Sequence, residues 1–158
     1  VNRSKYKQIA EYYPYLKHPE KYTGRRPITL RSSYEIKFVK GFLDSNPSVM
    51  EWSSEDHIKY KYDIDKKIHR YFIDFWVKVN DNDGDIKEYL VEVKPKAKLQ
   101  KPKKPKRVTK AYNKRLAEWV KNENKFDAAK LFCAKVRRET GRKLYFQIFT
   151  ESDLGIKL

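Results

Sequence analysis

Two acids in this chain stand among neighbours that do not ordinarily accept a charge. Asp74 lies in Tyr71-Phe72-Ile73-Asp74-Phe75-Trp76, and Glu92 in Tyr89-Leu90-Val91-Glu92-Val93-Lys94. A carboxylate in apolar surroundings is costly to bury unless something cationic compensates it. Glu92 and Lys94 are two residues apart, so on a regular strand both side chains point to one face. Two carboxylates and a lysine meeting across neighbouring strands would hold a divalent metal beside a phosphate. Mg²⁺ takes oxygen ligands in octahedral geometry and is usually held by one or two protein carboxylates, several waters and the phosphate itself. The chemistry that follows is phosphodiester hydrolysis, in which the metal stabilises developing charge and lowers the pKa of a bound water. Asp74 and Glu92 would be the ligands, the Val93 carbonyl a further oxygen, and Lys94 the cation that orients water or steadies the phosphate. Taken alone, Glu-x-Lys fits a cross-strand ion pair on a solvated sheet face as well as it fits catalysis.

The elements around these residues read as follows. Arg70–Val79 and Tyr89–Lys94 are rich in aromatic and β-branched residues and read as strands. The Asn80-Asp-Asn-Asp-Gly84-Asp connector is dense in turn-formers, which makes the pair a hairpin. Arg31–Asp44 reads as the first helix, with Ser32 or Ser33 as N-cap and Ile36, Val39, Phe42 and Leu43 as its apolar face; Gly41 weakens it and Asn46-Pro47 ends it. Glu35 falls beside that face, where it could reach the carboxylates from the helix. It fits equally as a first-turn acid favoured by the macrodipole, or as the glutamate of a capping box on Ser32. The first strand is expected around His57–Tyr62, with Trp52 a core anchor just before it. His57 and His69, lacking a third ligand at metal spacing, read as surface or packing residues. Residues 111 to about 139 read as helical, with a break at Asn122-Glu-Asn124 and Gly141 as C-cap. One apolar stripe holds Tyr112, Leu116, Trp119 and Val120, and a second Phe126, Ala129, Phe132, Cys133 and Val136. Lys143–Phe149 reads as a buried strand and Thr150–Leu154 as the start of a short last helix. The order suggests an α/β fold with a mixed β-sheet flanked by helices.

Charge narrows the partner. The 158 residues carry 37 Lys+Arg against 21 Asp+Glu, a formal +16 that favours a polyanion, nucleic acid ahead of an anionic membrane. Nine Lys or Arg, three prolines and no acid occupy 94–110, so 95–110 is expected as an extended, mobile loop. Its cations Lys96, Lys98, Lys101, Lys103, Lys104, Lys106, Arg107 and Lys110 would hold DNA phosphates without regard to sequence; a nuclear-localisation signal has the same composition. Residues 1–29 read as an extended arm in which Lys5, Tyr6, Lys7, Tyr12, Tyr13, Tyr15, Lys17, Lys21, Tyr22, Arg25 and Arg26 interleave. Such an arm could stack on bases and pair with phosphates, or simply pack on the 30–158 domain. No apolar run reaches membrane-spanning length and no signal-peptide pattern opens the chain. One cysteine, Cys133, cannot form an internal disulfide, and a reducing, intracellular setting is the simpler expectation.

The arrangement Arg31-Ser-Ser-Tyr-Glu35, Arg70-Tyr-Phe-Ile-Asp74-Phe and Tyr89-Leu-Val-Glu92-Val-Lys94-Pro resembles the PD-(D/E)xK nucleases, with Ile73 where their motif usually has proline. It resembles more closely still the branch that contains transposon-end-cleaving nucleases and the head-completion nucleases of T4-like tailed phages. The resemblance implies a restriction-endonuclease-like core and a Mg²⁺-dependent DNA endonuclease, with Mn²⁺ as a substitute metal. Glu35, Asp74, Glu92 and Lys94 match the catalytic positions, and Lys125 matches a basic residue that helps bind phosphate, although a solvated helix lysine would look the same. It further implies action on double-stranded DNA during head completion, capsid, portal or neck proteins as partners, and a place in the host cytoplasm or in the virion. One site per chain would call for two chains, a homodimer, to cut both strands. The rival readings are a non-catalytic DNA-binding structural protein of the phage head or neck, and an RNA-binding protein, which would have no use for Asp74 and Glu92 in apolar strands.

Overall fold

The computed structural model describes residues 16–154. Lys5, Tyr6, Lys7, Tyr12, Tyr13 and Tyr15 of the arm lie outside them. The first helix is α1 (Ser33–Phe38), and its last turn widens into a π-helical segment, Val39–Leu43, that contains Gly41. Six strands follow: β1 (Val49–Ser54), β2 (His57–Lys61), β3 (Ile68–Phe72), β4 (Phe75–Asn80), β5 (Ile86–Val93) and, after the long helix α2 (Lys110–Thr140), β6 (Leu144–Phe149). The main sheet has the order β1-β4-β5-β6, with β5 and β6 parallel and the other pairs antiparallel. β2 and β3 form a separate two-stranded ribbon.

Alternation along β5 gives the sheet two faces. Val91 and Val93 join Phe75, Val77, Trp52 and the helix residues Phe38, Val39 and Leu43 in one core. Leu90 turns the other way, to Ala129 and Cys133 of α2, Leu144 of β6 and the ribbon residues Ile58, Tyr60 and Tyr71. A mixed sheet is thus covered by α1 on one side and α2 on the other, the layering that its two apolar faces require. Leu16, Tyr22 and Ile28, from the described part of the arm, also enter the first core, and Tyr22 meets Trp52 edge-on at 4.7 Å.

Several expectations are corrected. The first strand is Val49–Ser54, with Trp52 inside it and fully buried; His57–Lys61 belongs to the ribbon. The stretch Arg70–Val79 is two strands in different sheets, broken at Ile73-Asp74. There Ile73 N–H donates to the Asp56 carbonyl at 2.7 Å, away from the main sheet. α2 runs unbroken through Asn122-Glu-Asn124, about 45 Å at 1.5 Å per residue. Asn124 does not compete for helix backbone, because its amide and carbonyl are taken by Asp63 of the ribbon turn at 2.9 and 3.0 Å. Phe132 lies off the apolar stripe and is exposed. Thr150–Leu154 makes only hydrogen-bonded turns. α2 is capped by the Thr109 hydroxyl at its start and by Gly141 at φ 73° at its end, a left-handed conformation that suits glycine.

Candidate active site

The break between β3 and β4 decides where Asp74 points. Outside either ladder, its carboxylate turns to β5 and Oδ2 accepts the Val93 N–H at 2.8 Å. Glu92, one residue earlier, faces the α2 side of the sheet and is buried. Its charge is matched by Lys94 Nζ, 3.1 Å from Oε1, and by the Tyr71 hydroxyl, which donates to Oε2 at 2.6 Å. Alternation had put Glu92 and Lys94 on one face, and the contact between them follows from it.

Glu35 arrives from the opposite layer, and its two sequence readings coexist. Ser32 Oγ accepts the Glu35 N–H at 3.1 Å while Glu35 Oε2 accepts the Ser32 N–H at 3.0 Å, a complete capping box. Arg31 N–H also donates to Oε2. The cap thus holds the glutamate by one oxygen, at the start of α1, where its carboxyl meets that of Asp74. Ser32, Glu35, Asp74, Glu92, Val93 and Lys94 line one cleft of about 300 Å³.

The electrostatics are those of crowded acids. Burial, then the charges of Glu92 and Glu35, hold the Asp74 carboxyl well above the usual aspartate range. Burial also raises Glu35, against the pull of the Arg31 N–H and Asp74 hydrogen bonds. Burial raises the Tyr71 phenol, so it stays a donor. Lys125, near the middle of α2, stands 5.3 Å from the Tyr71 ring centre and 5.8 Å from that of Tyr60. Its burial lowers the ammonium's pKa, while Glu92 and Asp74 act in the opposite direction.

The donors suit a hard cation. All are oxygens, and a metal between Asp74 and Glu92 would offset both the burial and the neighbouring carboxylate charge that raise Asp74. Among the described residues no three His, Cys, Asp or Glu side chains converge as a ready-made cage. A two-carboxylate Mg²⁺ site completed by water and phosphate does not need one.

The cations of 95–110 are not among the residues that line this cleft. Lys96, Lys98, Lys101, Lys103, Lys104, Lys106, Arg107 and Lys110 are all exposed, and among the described residues none forms an ion pair. The segment is not extended throughout. Lys96–Leu99 forms a 3₁₀ turn, closed by Lys98 N–H to the Pro95 carbonyl at 2.9 Å, because no proline interrupts Lys-Ala-Lys-Leu. Its start is tied down where Lys96 N–H meets Glu151 at 2.9 Å, and Lys101 lies over the Trp119 ring. Lys110 is already the first residue of α2.

Other residues fall outside the chemistry. His69 pairs with Asp65 at 2.7 Å, and His57 lies against Phe72. Cys133 is in the core, its thiol pushed up by burial to about 11, so it is not a nucleophile at neutral pH. Two features escaped the sequence reading. Tyr71 shares its strand parity with buried Ile73, and a buried tyrosine needs a partner for its hydroxyl, but the partner is 21 residues away. A concavity of about 1000 Å³ beside the ribbon is lined by Arg25, Arg70, Arg142 and the exposed Phe72 and Phe132. A recess bordered by Phe72, Glu55, Asp74 and Glu35 lies between it and the cleft.

No solved structure matches the chain. Among proteins of known function it is similar to the head completion nuclease of Enterobacteria phage T4, with 38% identity over 144 residues, 87% of this chain and 89% of the relative. The family model described as TnsA-like endonuclease N terminal matches residues 46–151, a span that holds Asp74, Glu92, Lys94 and Lys125 and leaves Glu35 outside. With a mixed sheet between two helical layers and a match over most of its length, the chain belongs to the TnsA-like endonuclease family and has its restriction-endonuclease-like fold.

Proposed function

We propose that this protein is a metal-dependent DNA endonuclease that trims or cuts DNA during phage head completion after packaging. The observation that carries the reading is the single cleft lined by Glu35, Asp74, Glu92 and Lys94, with Lys94 paired to Glu92, in a chain of an endonuclease family. The similarity to a phage nuclease named for head completion supports the setting. Mg²⁺ is the metal we assign, with Mn²⁺ as a substitute, held by Asp74 and Glu92 with the Val93 carbonyl and Glu35 available as further oxygens. Once bound, it would supply charge neutralisation at the phosphate and a more acidic water. The chain's own residues do the rest. Val93 N–H fixes Asp74, the Ser32 cap fixes Glu35, and Lys94 stands where an ammonium would orient a water or meet phosphate oxygens. Lys125 is assigned a phosphate role from α2. The cations of 95–110 are assigned the sequence-indifferent grip on the duplex.

Capsid, portal or neck proteins would be the assembly partners, in the host cytoplasm and then in the virion. No described helix is long and apolar enough to cross a membrane. Cutting both strands would take two copies of the chain. The second reading, a non-catalytic DNA-binding head or neck protein, is favoured by the size of the basic surface alone.

The test is incubation with supercoiled plasmid in Mg²⁺, Mn²⁺ or EDTA, beside Asp74→Ala. Nicking or linearisation that needs metal and vanishes in the variant is the expected result. Salt-sensitive retardation of the plasmid without any cleavage would replace the enzyme by the structural reading.

A further inference from the structure

We infer that Tyr71 is a positioning residue that sets the orientation of Glu92 and, through it, the affinity of the cleft for its metal. The inference rests on the metal-dependent reading above and extends it to a residue from a different sheet.

Among the described residues each oxygen of Glu92 has one polar partner. Lys94 stands at Oε1, on the same strand, with a flexible stem and a partly exposed ammonium. Tyr71 holds Oε2 at 2.6 Å from β3, through a ring that is 1% exposed. The two contacts differ in stiffness. A lysine can follow a carboxylate that rotates, whereas a phenol has its oxygen fixed by the plane of its ring. That ring is itself held: Tyr60 packs edge-on at 6.5 Å between centres, and the Lys125 ammonium stands 5.3 Å from its centroid. The carboxylate is therefore aimed by a donor on the ribbon, leaving Oε1 as the oxygen with freedom to exchange partners. Partners behind a metal-binding carboxylate or imidazole typically govern affinity by about 10–100-fold, because they fix orientation before the metal arrives.

The arrangement also gives the β2–β3 ribbon a purpose. It contributes no residue to the main sheet, yet its buried face carries the donor that reaches the cleft. The same face carries Tyr60, whose ring also lies near Lys125. Tyr60 is thus an internal control, a second buried phenol of the same ribbon without a hydrogen bond to Glu92.

The experiment is calorimetric titration of DNA-free protein with Mn²⁺, comparing the natural chain with Tyr71→Phe, Tyr60→Phe and Asp74→Ala. Phenylalanine keeps the ring's volume and its contact with Lys125, and a cooperative melting curve verifies folding. Tyr71→Phe should weaken Mn²⁺ binding by about 10–100-fold. Tyr60→Phe should leave it unchanged. Plasmid cleavage by Tyr71→Phe should recover towards the natural rate as Mn²⁺ is raised, a shift in metal requirement with little loss at saturation. Equal Mn²⁺ affinity in the natural protein and Tyr71→Phe would overturn the inference while leaving the metal site intact. So would a cleavage defect that no metal concentration relieves. If the natural chain took up no Mn²⁺, or Asp74→Ala bound it equally well, the metal-dependent reading would fall and this inference with it.

Discussion

The Val93 N–H donates to Asp74 Oδ2 at 2.8 Å, fastening the aspartate to the residue between Glu92 and Lys94. The carboxylate of the β3–β4 break is thereby fastened to the strand that carries Glu92, and both line one cleft. Burial first, and then the charges of Glu92 and Glu35, hold the Asp74 carboxyl well above its ordinary range.

That shift has a stability consequence with a definite sign. A carboxyl whose folded pKa exceeds its unfolded value of about 3.9 leaves the folded state binding more protons. Metal-free protein should therefore lose stability as pH rises from that value through the raised folded pKa. Thermal melts in EDTA across this range should show the decline, and Asp74→Asn should flatten it. Adding Mg²⁺ should raise the melting temperature of the natural chain most at the high-pH end. An unchanged slope in Asp74→Asn would mean that Asp74 is not the group responsible.

Glu92→Ala should reduce plasmid cleavage by at least about 10²–10³-fold, the usual effect of losing one transition-state contact. Binding to uncut duplex should persist or tighten, since a negative charge is removed beside the phosphates. Gel retardation and cleavage assays on the same preparation separate the two effects. Loss of both together would contradict the division of labour between cleft and loop.

Changing Lys101, Lys103, Lys104 and Lys106 to glutamine should weaken duplex binding and make it less salt-dependent. If each contacts one phosphate, the slope of log K against log salt becomes shallower by roughly 3 to 4. A variant with weaker binding but the original slope would place the phosphate contacts elsewhere, the arginine-lined concavity beside Phe72 being the next surface to test.

Glu88 and Arg142 supply an acid-sensitive contact far from the cleft. Arg142 grips both oxygens of Glu88, with Nε to Oε2 at 2.8 Å, and holds the carboxyl below its usual range; Trp76 adds a further donor at 3.0 Å. With its folded pKa depressed, Glu88 contributes stability above the unfolded value of about 4.3 and loses it as pH falls through the folded one. Arg142→Ala should shrink the acid-side fall in melting temperature while leaving cleavage chemistry intact. Melts between pH 3 and 6 are the measurement.

The sequence by itself carried much of what is local. Alternation put Glu92 with Lys94, the Ser32–Glu35 spacing admitted a capping box, turn residues marked the β4–β5 connection and Gly141 marked the end of α2. Each depends on residues a few positions apart, where strand and helix periods dictate geometry. The tertiary structure decided the rest. Arg70–Val79 has unbroken strand propensity, yet it divides at Asp74 because its two halves pair with different sheets. Asn122-Glu-Asn124 has the composition of a break, yet Asn124 spends its side chain on Asp63 across 61 residues and the helix continues. Tyr71 reaches Glu92 only because the ribbon folds against α2, a contact between layers that no local period encodes. Propensity is a short-range preference of the order of 1 kcal/mol per residue, and sheet membership and side-chain partners are settled by burial across the whole core.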